Sequence, residues 1–196
     1  MAVNLKKGQR IDLKKDDGGA LRKVMVGLGW DPAEQKRRLF FTPANIDCDA
    51  SVFLCRNGKL VDSADIVSFF NLKHTSKCVV HAGDNLTGEG EGDDEEVMID
   101  LANMPNDIDR VIVVVNIYHA HSRKQHFGMI RNAFVRIVDM DTGKEMMRYD
   151  LSGLDYADST AMIFGEVYRR NGGWKFAAVG EATGDNSIEE LAARFR

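Results

Sequence analysis

The chain has 196 residues, of which 44% are hydrophobic and 29% charged, and this suits one domain with a core that needs no disulfide bonds. Its net charge of −4 gives no reason to expect nucleic acid as the main partner. The first residues lack the apolar segment of a secretory signal, and the longest apolar run, 111–115, is too short to cross a bilayer. Three cysteines without CxxC spacing predict reduced thiols and a cytoplasmic protein.

Short apolar runs and period-two patterns between turn residues predict β-strands along most of the chain. In chain order, the predicted strands are 22–28, 46–54, 110–118, 133–140, 145–151, 161–169 and 174–179. The most apolar of them, 110–118, is predicted to be central. The turn sequences at 141–143 and 171–173 predict that the last four strands form two hairpins.

Helix signals are scarce. Ser187 followed by Glu190 is a capping-box pattern and predicts a C-terminal helix, and a short helix is possible at 101–104 before Pro105. Many short strands with few helices favour an all-β fold, specifically a β-sandwich. We expect residues 1–196 to form this sandwich as a single domain.

The segment 83–96 carries seven carboxylates and no basic residue, with glycines interleaved among them. Like charges at this density cost stability unless a cation is bound, and glycines let backbone carbonyls turn inward as ligands. Calcium accepts such oxygens, whereas zinc prefers His or Cys, which the segment lacks. The candidate ligands are Asp84, Asn85, Asp93, Asp94 and Glu95. Composition alone equally allows a solvated acidic loop.

A second acidic element strengthens the metal hypothesis. Asn45, Asp47 and Asp49 are spaced at period two, so on a strand they share one face, while Cys48 points to the opposite face and into the core. Neighbours on one face lie about 6.6 Å apart, so one ion with ligand distances near 2.4 Å cannot easily serve both ends of a straight segment. Either the segment curls or it binds two neighbouring calcium ions, and we favour two ions.

The histidine-rich segment 119–126 is a separate candidate. His119 and His121 could offer ring nitrogens to zinc or copper if they lay on a strand, but such histidines are more often exposed or hydrogen-bonded. The same histidines allow an alternative function, a metal-dependent hydrolase with His119 as general base. No GxSxG motif supports a serine hydrolase.

The chain resembles the TerD family of bacterial tellurite-resistance and stress proteins. The stretches that carry the resemblance are VGLGWD at 26–31, IDCDAS at 46–51, GDNLTGEG at 83–90, GDDE at 92–95, RKQ at 123–125, FG at 127–128, RNAF at 131–134, TAMIFGE at 160–166 and WKF at 174–176. They run in order along nearly the whole chain. Asn45 departs from the family pattern, which often has an aspartate there, and so do the histidines at 119 and 121.

The resemblance implies a calcium-binding β-sandwich without established enzymatic activity, and a role in tellurite resistance and stress tolerance. The implied calcium ligands are Asp47, Asp49, Asp84, Asn85, Asp93, Asp94 and Glu95, with the backbone of Gly88 and Gly90 in addition. The implied partners are other tellurite-resistance proteins, including membrane-associated complexes. Such partners would place this cytoplasmic chain at the periphery of the inner membrane.

Overall fold

Two six-stranded sheets account for about half of the residues that the structure describes. The structure is a computed structural model, and it describes residues 2–32, 46–83, 92–150 and 156–196. The strands in chain order are β1 (Val3–Asn4), β2 (Arg10–Asp12), β3 (Lys23–Pro32), β4 (Cys48–Cys55), β5 (Ile66–Val67), β6 (Val79–His81), β7 (Glu95–Asp100), β8 (Arg110–Ile117), β9 (Ile130–Asp139), β10 (Lys144–Asp150), β11 (Ala161–Arg170) and β12 (Gly173–Thr183). The predicted all-β fold is confirmed.

The sheets face each other across one apolar layer. Sheet A has the strand order β1-β10-β9-β3-β7-β6, and sheet B has the order β2-β12-β11-β8-β4-β5. Alternate residues of each strand point into the shared core, such as Val24 and Val26 of sheet A and Val113 of sheet B, all with no exposed surface. The β-sandwich prediction is therefore confirmed, and the two predicted hairpins are β9–β10 and β11–β12.

Short helices complete the described part of the chain. They are α1 (Ala120–Arg123), α2 (Ile188–Ala193) and two 3-10 turns at Ser63–Asp65 and Phe127–Met129. The hydroxyl of Ser187 accepts a hydrogen bond from the Glu190 N–H at 3.2 Å, which confirms the predicted start of the C-terminal helix. None of the helices in the described ranges is long and apolar enough to span a membrane.

α2 covers the outer face of sheet B. Ile188 and Leu191 pack there against Phe53 of β4 and Ile163 of β11, which forms a second apolar cluster. The outer face of sheet A is different, because it carries charged side chains around Phe134 and the glycines of β3.

Two local expectations are wrong. Residues 101–104 are not helical, since the side chain of Asp100 accepts hydrogen bonds from the backbone N–H and the amide of Asn103, which fixes a turn instead. His119 and His121 do not lie on a strand: β8 ends at Ile117, His119 adopts a left-handed φ of 54°, and His121 lies within α1.

The N-terminal segment borders both sheets on one side of the sandwich. β1 pairs in parallel with β10 through Val3 and Asn4, and β2 pairs with the 175–177 segment of β12. Both strands therefore pair with segments more than 140 residues later in the chain.

Candidate metal centre

Asp47 and Asp49 lie at the start of β4 and are almost completely buried, at 5% and 2% exposure. Asp49 accepts a hydrogen bond from the Asn116 amide at 3.3 Å, and an Arg123 guanidinium nitrogen lies 3.9 Å from Asp47. Cys48, between the two aspartates, points into the layer between the sheets as predicted. The start of β4 thus presents two buried carboxylates beside its neighbour β8.

Glu95 connects the acidic segment to the same strand. It is the first residue of β7, and its carboxylate accepts a hydrogen bond from the Ala50 N–H at 2.5 Å. His81, at the end of β6, contacts the Ala50 carbonyl through Nε2 at 3.0 Å, and its Nδ1 accepts the Gly83 N–H. These two contacts require the Nε2–H tautomer. Glu95 and His81 of sheet A therefore hydrogen-bond to the N–H and the carbonyl of Ala50 in sheet B.

Asp94 holds the end of the acidic segment against β3. Its carboxylate accepts a hydrogen bond from the Trp30 N–H at 2.9 Å, and its own N–H donates to the Leu28 carbonyl. Burial raises the pKa of the Asp94 carboxyl; the Trp30 N–H opposes this, and the charges of Asp31 and Asp93 add to the rise. A cation placed beside Asp94 would favour its charged form.

Asp93 takes a different position, over the outer face of sheet A. Its carboxylate accepts hydrogen bonds of 2.8 and 3.0 Å from Arg136, which also contacts Glu145. The side chain of Asp93 is 1% exposed and packs on Gly27 so closely that a Cβ there would lie 2.2 Å from a carboxylate oxygen. Asp93 is therefore bound to Arg136 and separated from Asp47 and Asp49.

The buried thiol of Cys48 feels the charges of four of the predicted site residues. Burial raises the pKa of the Cys48 thiol well above its usual value, and the nearby charges of Asp49, Asp47, Glu95 and Asp94 raise it further. All four side chains offer carboxylate oxygens as metal ligands, and such oxygens suit a hard cation such as calcium. Within the described ranges, however, no three His, Cys, Asp or Glu side chains are arranged to hold a metal ion.

The remaining predicted ligands lie outside the described residues. These are Asp84, Asn85, Gly88 and Gly90, and Asn45 is also outside. The described chain reaches Gly83 on one side of the acidic segment and resumes at Gly92 on the other. β6 and β7 pair with each other, and His81 of β6 and Glu95 of β7 both contact the backbone of Ala50 in β4.

Sequence reasoning missed His81, Asn116 and Arg136, each of which contacts a predicted site residue. His81 had one available signal, since it directly precedes the acidic segment. Asn116 is a polar residue within the most apolar strand, a pattern that also marks a special position. Arg136 offers no signal, because it is one of many basic residues and meets Asp93 only through the pairing of β3 with β9.

The fold and this group of carboxylates define an all-β protein with an acidic centre at one end of its sandwich. The chain belongs to the TerD family: the TerD domain matches residues 1–195.

The relatives carry names from stress response and tellurium resistance. The chain is 50% identical to the stress response protein SCP2 of Bacillus subtilis over the full length of both. It is 46% identical to the tellurium resistance protein TerD of Alcaligenes sp, over 92% of this chain and 90% of that protein. A crystal structure of a TerD homologue from Streptomyces coelicolor A3(2) has the same fold, with a TM-score of 0.67, 24% identity, and coverage of 88% of this chain and 96% of that one.

Proposed function

We propose that this protein binds calcium through Asp47, Asp49, Asp94 and Glu95, together with oxygen ligands of the acidic segment 83–96. The observation that carries the proposal is that Asp47 and Asp49 are almost completely buried at the start of β4, where Glu95 of the facing sheet accepts a hydrogen bond from the Ala50 N–H of the same strand. Gathering carboxylates in a buried place is costly unless a cation offsets their repulsion. Calcium fits because it takes six to eight oxygens in flexible geometry.

In this proposal the acidic segment completes the coordination. Asp84 and Asn85 would supply side-chain oxygens, and Gly88 and Gly90 would supply backbone carbonyls. The spacing of about 6.6 Å between same-face positions on a strand supports two neighbouring ions rather than one. Asp93 could serve as a ligand only by exchanging its two hydrogen bonds with Arg136 for the ion, so its contribution should be smaller than that of Asp47.

We infer that the calcium-bound protein offers a surface to other proteins. The protein then acts as a binding or scaffold module in tellurite resistance and stress tolerance, on the cytoplasmic side. Its partners would be other tellurite-resistance proteins, including membrane-associated ones. The names of the relatives support this role, since they denote stress and resistance proteins rather than enzymes.

Isothermal titration of the full chain with calcium tests the proposal directly. We expect heat from two bound ions per chain and much weaker binding of magnesium, which gives up its waters reluctantly. The double variant Asp47→Asn with Asp49→Asn should lose calcium binding. Asp158→Asn is the matched control, because Asp158 is exposed and contacts none of these residues.

Thermal melting gives an independent measurement. Calcium at a hundred times its Kd should stabilise the fold by about 2.7 kcal/mol per bound ion, so two ions should raise the Tm of a chain of this size by roughly 10–20 °C. A parent Tm that does not move at saturating calcium would contradict the proposal. So would an unchanged calcium affinity in the double variant.

A further inference from the structure

A pocket of about 250 Å³ lies on the sheet B side of the molecule, between the end of β8 and the start of α2. Its walls are rich in aromatic rings: the Phe69 and Phe70 rings are tilted by 36° with 3.9 Å between their centroids, and Phe69 meets the Tyr118 ring edge-on at 5.6 Å. Tyr118 in turn packs against His119. The pocket adjoins the proposed calcium centre through Asn116, whose amide donates to Asp49, but its aromatic rings have no role in calcium binding.

One polar group of the pocket lacks a hydrogen-bond partner within the described structure. Asn116 lines the pocket and is 3% exposed. Its Nδ2 donates to Asp49, so its Oδ1 is directed away from that carboxylate, and this buried oxygen accepts no hydrogen bond. A buried amide oxygen without a donor costs about 1–3 kcal/mol, so the pocket favours a ligand that brings an N–H group.

The charge at the rim favours a positive ligand. Glu189 lines the pocket, is exposed, and forms no ion pair among the described residues. The Arg123 guanidinium lies 5.4 Å from the centroid of the Tyr118 ring, and Asp47, with an oxygen 3.9 Å from Arg123, offsets its charge. Aromatic faces beside a carboxylate attract cations.

We propose that this aromatic pocket receives an arginine side chain of a partner polypeptide. A guanidinium matches all three features, because it stacks flat on Phe and Tyr rings, donates N–H groups to an amide oxygen and pairs with a carboxylate. The volume is below the roughly 300 Å³ of a typical small-molecule pocket, so it suits one side chain.

The surface beside the pocket supports a polypeptide as the source of that arginine. Phe70 is 73% exposed and Leu72 is 46% exposed, so apolar surface extends past the pocket. A free small cation would leave this surface in water, whereas the backbone and neighbouring side chains of a partner would cover it.

The test is a titration of the isotope-labelled full chain, in calcium-containing buffer, with a blocked Gly-Arg-Gly peptide followed by NMR. We expect shifts of the amides at 69–70, 116–119 and 186–189, with a Kd on the order of millimolar for one side chain. Phe70→Leu removes the ring but keeps an apolar side chain, and it should weaken binding about five-fold. Glu189→Gln should weaken it about three-fold.

Matched probes decide the outcome. Glu181→Gln removes an exposed carboxylate outside the pocket and should leave peptide binding unchanged. Three results would overturn the proposal. The first is that the peptide causes no shifts at these amides, and the second is that Phe70→Leu and Glu189→Gln bind the peptide as tightly as the parent protein does. The third is that the parent binds the corresponding Gly-Lys-Gly peptide as tightly as Gly-Arg-Gly. Concentration-dependent shifts of the same amides without peptide would assign the pocket to a second copy of the chain instead. Because calcium binding is measured separately by heat, either proposal can fail alone.

Discussion

At the scale of single residues, Gly27 and Asp93 determine how the acidic segment is attached to the sandwich. Asp93 rests on Gly27 and accepts hydrogen bonds from Arg136, which fixes the C-terminal end of the segment over sheet A. The period-two pattern of the sequence predicts the inward Cys48 correctly. It cannot predict the Asp93–Arg136 pair, because these residues are 43 positions apart and meet only in the folded sheet.

Gly27→Ala should therefore disturb the attachment of the acidic segment. The added Cβ would lie 2.2 Å from an Asp93 oxygen, and Asp93 has no room to move because it is buried under Arg136. Overpacking of this kind costs about 1–3 kcal/mol of unfolding free energy, measured by urea denaturation. Calcium affinity should fall as well.

Gly184→Ala is the control for this substitution, since a Cβ there meets nothing within 4 Å. Its unfolding free energy should change by no more than about 0.5 kcal/mol. Equal stability of the two variants would show that Asp93 does not depend on Gly27 for its position.

At the scale of elements, the contact of β6 and β7 with β4 joins the two sheets at the candidate metal centre. β5 pairs with β4 only at Val52 and Phe53, so the backbone of Ala50 lies beyond it and is satisfied by Glu95 and His81 instead. Glu95 therefore has two roles in our interpretation: hydrogen-bond acceptor within the fold and ligand for the ion.

Two substitutions of Glu95 separate these roles. Glu95→Gln keeps an oxygen that can accept the Ala50 N–H, so the calcium-free protein should melt near the parent Tm while calcium affinity falls. Glu95→Ala leaves that buried N–H without its acceptor and should also cost the calcium-free protein about 1–3 kcal/mol. Parallel melting curves and calcium titrations measure both effects. A Glu95→Gln variant with parent calcium affinity would remove Glu95 from the ligand set.

The elements that the sequence predicts are the long ones. The strands from 110–118 onward have enough residues to show a period, and their turns carry Gly, Asn and Asp. β1, β2, β5 and β6 have two or three residues each, too few for any periodicity, and they exist because a longer neighbour provides hydrogen-bonding groups. Likewise, the sequence indicates an acidic site but not the contact of Glu95 with Ala50, since that contact depends on how the two sheets are packed.

At the scale of the whole molecule, the sandwich has two apolar layers of unequal size. The larger lies between the sheets, and the smaller lies between sheet B and α2. The sequence predicts α2 from its cap and apolar stripe, but only the structure shows which sheet it covers.

Leu191→Ala should reveal how much the smaller layer contributes. Leu191 has no exposed surface, so its truncation should cost about 2–5 kcal/mol of unfolding free energy in urea. Leu72→Ala serves as the control because Leu72 is 46% exposed, and it should change stability by no more than about 0.5 kcal/mol. If the two variants were equally stable, α2 would not be part of the cooperative fold.

The pairing of β1 and β2 with distant strands has a consequence for biosynthesis. Val3 pairs with Met147, and Arg10 pairs with Ala177, so the N-terminal residues leave the ribosome long before their partners are made. Contacts so distant in sequence slow folding, since loop-closure entropy is lost before the contact is gained. We therefore expect the sandwich to close only after β12 has been synthesised, with β1 and β2 among the last strands to pair.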